Sequence, residues 1–233
     1  MTKTLLLILL SLPFCLFAQE LQEADALVHP KLAEGVIRVG GPDADISGFT
    51  NTSIQYAIDA LAKTGGSVIL GPGVFTISAP VRMKSNIHLR GQGKETVLKR
   101  DQGVQTKYVI DADFGELKLT VEDTDGFEIG MKVQVTDDDN NGCWNVSAAY
   151  ITDIADDIIY IDKGLIRDYR SDRNGLISNA SSVIELIEVE NCSISKLVAD
   201  GNRNENYFAD GCNSAGILIL RSTHITVDGV HVK

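Results

Sequence analysis

A 33-residue repeat near the carboxyl-terminal end constrains the fold more than any other feature of this sequence. The alternating segment 192–199 recurs as 225–232, and the apolar positions 192, 194, 197 and 199 of the first copy are all apolar in the second. Repeats of about 20 to 50 residues are typical of stacked coils, in which each coil buries its apolar side chains against its neighbours. The repeat therefore predicts a solenoid.

The period of the apolar residues changes along the chain from that of a helix to that of strands. Spacings of three and one predict an amphipathic helix over 54–63. Thr52 and Gln55 form a predicted capping box at its start, and Gly65 and Gly66 end it. Alternation bounded by turn residues then predicts short strands at 67–70, 74–77, 81–83, 87–89 and 96–98.

A different pattern between these regions predicts an inserted β subdomain. Longer strands joined by acidic turns are expected at 118–121, 132–135, 148–151 and 158–161. Trp144 either packs this insertion onto the helix or flanks a glycan site. The predicted organisation is a signal peptide (1–18), cap and first coils (19–114), the inserted subdomain (115–170), and further, incomplete coils (171–233).

The amino terminus and the charge indicate where the protein acts. Residues 5–16 form an apolar run of signal-peptide length, and we expect cleavage after Ala18; a lipoprotein anchored at Cys15 is the alternative. No later run reaches the ~20 residues of a membrane span. The predicted location is therefore secreted, periplasmic or cell-surface. A net charge of −11 makes the chain a poor partner for nucleic acids, which bind to a basic face, so no nucleic-acid partner is expected.

The remaining cysteines leave one pairing open. Cys192 lies in an alternating strand pattern and is predicted to be a buried small hydrophobe. Cys143 and Cys212 either form a disulfide in an oxidising compartment or stay unpaired.

Five segments carry a resemblance to a known superfamily. Residues 55–60, 65–75 and 86–93 resemble the cap and first coils of the pectate-lyase-like right-handed parallel β-helix superfamily, and 126–169 is similar to an insertion in some exported members. Residues 197–206 resemble an "LDGNRxEN" segment of that subgroup. The resemblance covers residue 36 to the end and implies that the helix plugs the open end of the solenoid. The superfamily includes lyases, hydrolases, epimerases, tailspikes and non-catalytic proteins, so the fold alone does not define the reaction.

The last residues continue a strand pattern without a closing cap. A solenoid needs a polar end or a plug, since its last coil otherwise exposes an edge for pairing. We therefore expect a C-terminally truncated fold, with much of the groove that relatives use missing and the fragment alone inactive.

The densest polar cluster lies in the same repeat region, and it is the candidate sugar site. Paired carboxylates are what glycoside cleavage requires, and a guanidinium can neutralise a lyase substrate. The catalytic candidates are therefore Asp200, Arg203 and Glu205. Amide and aromatic side chains suit sugar hydroxyls and sugar rings, so the predicted substrate-binding residues are Asn202, Asn204, Asn206, Tyr207 and Asp210. The alternative is a structural loop, because Asn and Asp also stabilise turns.

An acidic segment suggests a metal site. Asp137, Asp139 and Asn141 follow the opening pattern of a calcium loop, whose oxygen ligands suit a hard cation. Ala148 stands where an EF-hand has its bidentate glutamate, so an EF-hand is excluded. The alternatives are another type of Ca²⁺ loop or a solvated hairpin turn without a cofactor.

Two functions follow as hypotheses. The first is an exported carbohydrate-active protein that binds an extracellular polysaccharide and, at full length, cleaves it as a lyase or glycoside hydrolase. The second is a non-catalytic cell-surface or adhesion solenoid that binds glycan or protein. The oligomeric state is left open.

Overall fold

The computed structural model describes residues 35–209 and 211–233, without the side chain of residue 143. The predicted signal peptide and Asp210 lie outside these residues. One helix, α1 (Asn51–Leu61), lies among the strands. In chain order, the strands are β1 (Val36–Gly40), β2 (Ile46–Ser47), β3 (Gly66–Leu70), β4 (Gly73–Ile77), β5 (Val81–Arg82), β6 (Ile87–Arg90), β7 (Thr96–Arg100), β8 (Gln105–Lys107), β9 (Lys118–Thr120), β10 (Lys132–Thr136), β11 (Ser147–Ala155), β12 (Ile158–Ile161), β13 (Leu176–Asn179), β14 (Ile184–Ile187), β15 (Glu190–Ser195), β16 (Val198–Asp200), β17 (Ile217–Leu220), β18 (Thr223–Asp228) and β19 (His231–Val232).

The predicted repeat corresponds to paired strands on successive coils. Cys192 pairs with Ile225 and Ile194 with Val227 in parallel register, 33 positions apart. Three sheets contain parallel pairs, in the orders β18-β15-β6-β3-β1-β2, β17-β14-β5 and β19-β16-β7-β4. From β3 onwards, and apart from the antiparallel sheet formed by β8 to β13, the chain visits the three sheets in turn, one strand at a time. Among the described residues the protein is thus all-β with one α-helix, an arrangement consistent with a β-helix-type fold.

Helix α1 begins earlier than the sequence predicted. Its N-cap is Thr50, whose hydroxyl oxygen accepts a hydrogen bond from the Ser53 amide at 3.3 Å. The predicted capping box was wrong, because the Gln55 side chain instead bonds the backbone of Arg82 on β5. At the other end, the chain leaves the helix through Gly65, which has a φ of 73° and donates to the Leu61 carbonyl at 2.8 Å. Glycine adopts this left-handed conformation without the usual steric cost.

The helix contributes its apolar face to the core of the coils. The buried aliphatic residues of α1 belong to one cluster with the inward-facing side chains of the parallel strands, from Ile37 on β1 to Ala199 on β16. Cys192 is 2 % exposed in this cluster, which confirms the prediction of a buried small hydrophobe. Alternation places every second residue of each strand inward, so short strands suffice to build this core.

The antiparallel sheet lies between β7 and β14 in the sequence. Its order is β8-β13-β10-β11-β12-β9, and it has a separate apolar cluster that includes Val133, Ile151 and Ile159. Strands β9 to β12 occupy the segments where strands were expected. The sheet also contains β8 and β13, so it extends beyond the predicted 115–170. Treating it as an independent subdomain remains a prediction.

Trp144 does not pack onto the helix, since it is 82 % exposed. That interpretation of the tryptophan was wrong.

No helix in the described part of the chain is long and apolar enough to cross a membrane.

Candidate functional site

The polar cluster predicted from the sequence lies beside a cleft. Residues 201–216, here called the polar loop, connect β16 to β17. The cleft encloses about 600 Å³ between this loop and the coils. Its described lining consists of Arg100, Ser181, Val183, Gly201, Arg203, Asn206, Tyr207, Phe208, Ala209, Gly211, Ser214, Ala215 and Gly216.

The antiparallel sheet supports the polar loop from one side. The Gln134 side chain on β10 donates a hydrogen bond to the Phe208 carbonyl at 2.7 Å. Lys132 on the same strand donates through Nζ to the Asn213 carbonyl at 2.5 Å. The loop is therefore held between the coils and the sheet, which fixes the wall of the cleft.

Asn202 holds the start of the polar loop rather than facing the cleft. It has a φ of 47°, in the left-handed region, and its backbone amide donates to Asp200 Oδ1 at 2.9 Å. Its side-chain amide donates to the Arg100 carbonyl at 3.1 Å and to Glu205 Oε2 at 2.6 Å. Both side-chain donors are thus used within the protein, and this favours the structural interpretation for Asn202.

Asn206 holds the polar loop against the segment after β7. Its Nδ2 donates to the carbonyls of Asp101 and Asn202 at 2.9 and 3.0 Å, while its buried Oδ1 has no hydrogen-bond partner among the described residues. The chain passes close by at Gly103, where an added Cβ would lie 2.9 Å from that oxygen. Asn206 therefore ties the loop to this segment, and its Oδ1 is shielded from solvent.

The two predicted catalytic carboxylates lie on either side of Asn202, and both are stabilised as anions. Burial acts to raise the pKa of Asp200, but the Asn202 amide and the Lys233 ammonium outweigh it, so that pKa lies below its usual value. Hydrogen bonds from Asn202 and Lys99 lower the pKa of Glu205. A glycosidase acid must instead be protonated near neutral pH. This geometry does not favour the acid/base role, which stays a prediction.

The other predicted residues present side chains to solvent. Arg203 and Asn204 are exposed, and Tyr207 and Phe208 are 47 % and 79 % exposed. Arg203 and both aromatic residues line the cleft, whereas Asn204 does not. An exposed aromatic ring at a cleft offers an apolar surface to a ligand while its polar neighbours supply orientation.

Arg100 is the functional candidate that sequence reasoning missed. It occupies an inward position of β7, in register with Ile77 of β4, and is 6 % exposed. Its Nη2 donates to Asn179, at 2.6 Å to the carbonyl oxygen and 3.0 Å to Oδ1. The sequence feature that could have identified Arg100 is its place at the third inward-facing position of the alternating strand β7.

The predicted calcium ligands form a tight turn. Asp137 is 3 % exposed, and its carboxylate accepts hydrogen bonds from the amides of Asp139, Asn140 and Arg170 and from the Asn140 side chain. Asp139 lies 3.6 Å from Arg173 in an ion pair. The Asn141 side chain donates to the Asp138 carbonyl.

These contacts give the acidic segment a structural explanation. The Asp137 oxygens already receive four donors from the protein, as the oxygens of a turn-forming aspartate do. Within 35–209 and 211–233, no cluster of three or more His, Cys, Asp or Glu side chains could hold a metal ion. The geometry therefore favours the hairpin-turn alternative, and the calcium site stays a prediction.

A second polar cluster, also missed, joins the coils to the antiparallel sheet. Glu185 on β14 contacts Lys132 Nζ at 3.3 Å and accepts a short hydrogen bond from the Tyr150 hydroxyl. Arg82 stacks over the Tyr150 ring, with its guanidinium carbon 3.6 Å from the centroid. Burial, followed by the bond to Glu185, raises the pKa of Tyr150, so this phenol is not activated as a base. The cluster attaches the sheet to the coils.

Solved structures resemble the chain only in part. The tailspike gp61 of Pseudomonas phage phi297 is 14 % identical, covers 78 % of this chain and gives a TM-score of 0.33. The Gp54 tailspike of Acinetobacter baumannii bacteriophage AP22, solved with a capsular saccharide, is 11 % identical, with 75 % coverage and a TM-score of 0.32. This chain spans 31 % and 33 % of those two proteins. Because both TM-scores are low and the matches are partial, these structures carry no argument about the function of this chain.

The family is shown by the sequence itself. No curated protein matches the chain. A family model described as "Rhamnogalacturonase A/epimerase, pectate lyase-like" matches residues 38–229, which include strands of all three parallel sheets and the whole polar loop. The match confirms the resemblance found in the cap, coil and loop segments. The chain belongs to the rhamnogalacturonase A/epimerase, pectate lyase-like family.

Proposed function

We propose that this chain is part of an exported protein that binds an extracellular polysaccharide in the cleft beneath the polar loop. Membership of a pectate-lyase-like family supports a carbohydrate-binding or carbohydrate-active role. The predicted signal peptide at 1–18 supports export to the surface or the medium. Under the same proposal, the coils form a right-handed parallel β-helix whose amino-terminal end is capped by α1.

One observation carries the assignment of the cleft. Tyr207 and Phe208 line it with exposed rings, next to polar groups that the protein holds in place. Sugars present apolar ring faces and many hydroxyls, so they bind where a flat apolar surface adjoins fixed donors and acceptors.

Cleavage is a proposal for the whole protein, as a lyase or a glycoside hydrolase. Asp200, Arg203 and Glu205 remain its candidates, although the lowered pKa values of both carboxyls favour a binding role. The alternative is a non-catalytic solenoid that binds glycan or protein at a cell surface. Incubation of the full-length protein with a polysaccharide panel separates them. A lyase releases new reducing ends together with unsaturated products, a hydrolase releases new reducing ends without unsaturation, and a non-catalytic solenoid releases neither.

The binding proposal is tested with matched aromatic variants. Phe208→Ala should weaken binding of the polysaccharide that the parent binds best by about ten-fold, as expected for loss of one stacked ring. Trp144→Ala is the control, because its ring is equally exposed but does not line the cleft. Affinity electrophoresis or calorimetry over the panel measures both. Equal affinities of Phe208→Ala and the parent would contradict the proposal.

A further inference from the structure

We propose that Gln134 is a positioning residue of the cleft, which holds Phe208 by its backbone, so that the antiparallel sheet determines where the Phe208 ring stands. This inference rests on the proposed polysaccharide binding and adds a residue that acts on it from outside the cleft lining. It starts from two buried polar side chains on strand β10.

Strand β10 buries a polar face as well as an apolar one. Successive residues of a strand point to opposite faces of the sheet. Val133 and Val135 belong to the apolar cluster of the antiparallel sheet. Lys132 and Gln134 alternate with them and are 7 % and 5 % exposed. Burial of a polar side chain is unfavourable unless it is hydrogen-bonded, so the bonds of these two residues indicate what the polar face does.

Both side chains of this polar face reach the polar loop. Gln134 Nε2 donates to the Phe208 carbonyl at 2.7 Å and to Ser178 Oγ on the neighbouring strand β13 at 3.2 Å. Lys132 Nζ donates to the Asn213 carbonyl at 2.5 Å. Strand β10 therefore holds two points of the loop, and one of them is the backbone of a residue whose ring lines the cleft.

The ring of Phe208 depends on its backbone for its position. It is 79 % exposed, so the protein does not enclose it by packing. The loop is also bound on either side of this residue, at Asn206, which donates to the Asp101 carbonyl, and at Ser214. Between these points, the Gln134 bond fixes the carbonyl of Phe208 itself, and with it the direction in which the ring leaves the loop.

Loss of this bond should lower the fraction of molecules in which the ring stands in the cleft. Gln134→Met keeps the length of the side chain and removes its donor. A neutral hydrogen bond has a modest net effect, which corresponds to a population change of about three- to ten-fold. Because apparent affinity falls with the fraction of the binding-competent state, we expect polysaccharide binding to weaken by the same factor.

The test combines Gln134→Met and Phe208→Ala in a double-mutant cycle on the whole chain. Calorimetry measures the affinity of each variant for the polysaccharide that the parent binds best. Gln134→Met should weaken binding about three- to ten-fold when Phe208 is present and less than about two-fold when it is alanine, because the ring that Gln134 positions is then gone. Gln105→Met is the control, since this glutamine of β8 in the same sheet is exposed, and it should leave affinity unchanged.

Hydrogen exchange of the free proteins, followed by mass spectrometry, tests the positioning without a ligand. A peptide that contains Tyr207 and Phe208 should exchange faster in Gln134→Met than in the parent or Gln105→Met. Peptides of β14 and β15 should exchange at the parent's rate. A general loss of stability would instead raise exchange in those strands as well.

A measurement on the parent does not depend on the folding of any variant. In protein labelled with ¹⁵N-glutamine, the side-chain amide protons of Gln134 should exchange with water more slowly than those of Gln105, because they are buried and bonded to the loop. Equal exchange rates of the two side chains would overturn the inference.

Three further results would also overturn it. The first is equal exchange of the loop peptide in the parent and Gln134→Met, and the second is faster loop exchange with unchanged affinity. The third is an equal loss of affinity with and without the Phe208 ring. None of these touches the proposed polysaccharide binding, which fails if Phe208→Ala leaves polymer affinity unchanged. In that case the two exchange measurements still decide whether Gln134 holds Phe208.

Discussion

The ion pair between Lys132 and Glu185 should be the strongest single attachment of the antiparallel sheet to the coils. The two side chains are 9 % and 1 % exposed, and their charged atoms lie 3.3 Å apart. At an effective dielectric constant of about 20, charges at this distance attract by about 5 kcal/mol. Both ions lost their hydration on folding, so the net contribution of the pair is much smaller than this attraction.

Removing one partner is a different perturbation from removing both. Lys132→Met leaves the Glu185 carboxylate buried with only the Tyr150 hydroxyl as a donor, and it removes the donor to the Asn213 carbonyl. Loss of one member of a buried pair typically costs about 3–5 kcal/mol. We expect a decrease of that size in the free energy of unfolding.

A double-mutant cycle in guanidinium chloride, followed by far-ultraviolet circular dichroism, measures the coupling. The variants are Lys132→Met, Glu185→Met and the pair together. Because the double variant leaves no uncompensated charge, its loss should be at least about 2 kcal/mol smaller than the sum of the single losses. Arg221→Met is the control, since its pair with Glu188 is 65 % and 64 % exposed and should contribute less than about 1 kcal/mol. Additive single losses, or single losses no larger than the control's, would refute the reasoning.

Two further predictions concern the polar loop. Because the pKa values of Asp200 and Glu205 are lowered, the stabilisation that these two carboxylates provide is complete above the ordinary values of 3.8 and 4.5 and is lost as the pH falls through the lower folded-state values. NMR titration of the two side-chain carboxyl carbons should therefore give midpoints below the ordinary values. Midpoints at or above those values would contradict the stabilisation of the two anions. Gly103→Ala should weaken polysaccharide binding, because the new Cβ would lie 3.0 Å from the Asn206 Cα. Gly142→Ala, where nothing lies within 4 Å, should not change that affinity in the same calorimetric assay, and an equal effect of both would count against loop displacement.

The spacing of apolar residues predicted the coils, because that spacing can be read directly from the sequence. The 33-residue repeat gave the register between β15 and β18, and alternation gave the inward faces of the short strands. The start of α1 was misplaced since two threonines could cap it, and only the position of the Ser53 amide selects Thr50. Strand β8 was missed because Gln105–Lys107 contains no apolar residue, and its pairing with β13 alone makes it a strand.

The contacts that form the site span distances that no local pattern encodes. Asn202 reaches the Arg100 carbonyl across 102 positions, and Lys132 reaches Glu185 across 53. The sequence identified the polar loop as a candidate from its composition. It could not show that Asn202 is used internally. Nor could it show that Arg100 lines the same cleft, since β8, β9 and β10 separate it even from the nearest predicted site residue, Asp137.

The central claim is that the cleft beneath the polar loop binds a polysaccharide. A crystal structure of the protein with an oligosaccharide of the polymer that it binds best tests this most directly. The account predicts a sugar ring against Tyr207 or Phe208, with its hydroxyl groups bonded to polar side chains of the cleft lining. An oligosaccharide bound on the outward face of a parallel sheet, with this cleft filled only by water, would contradict it.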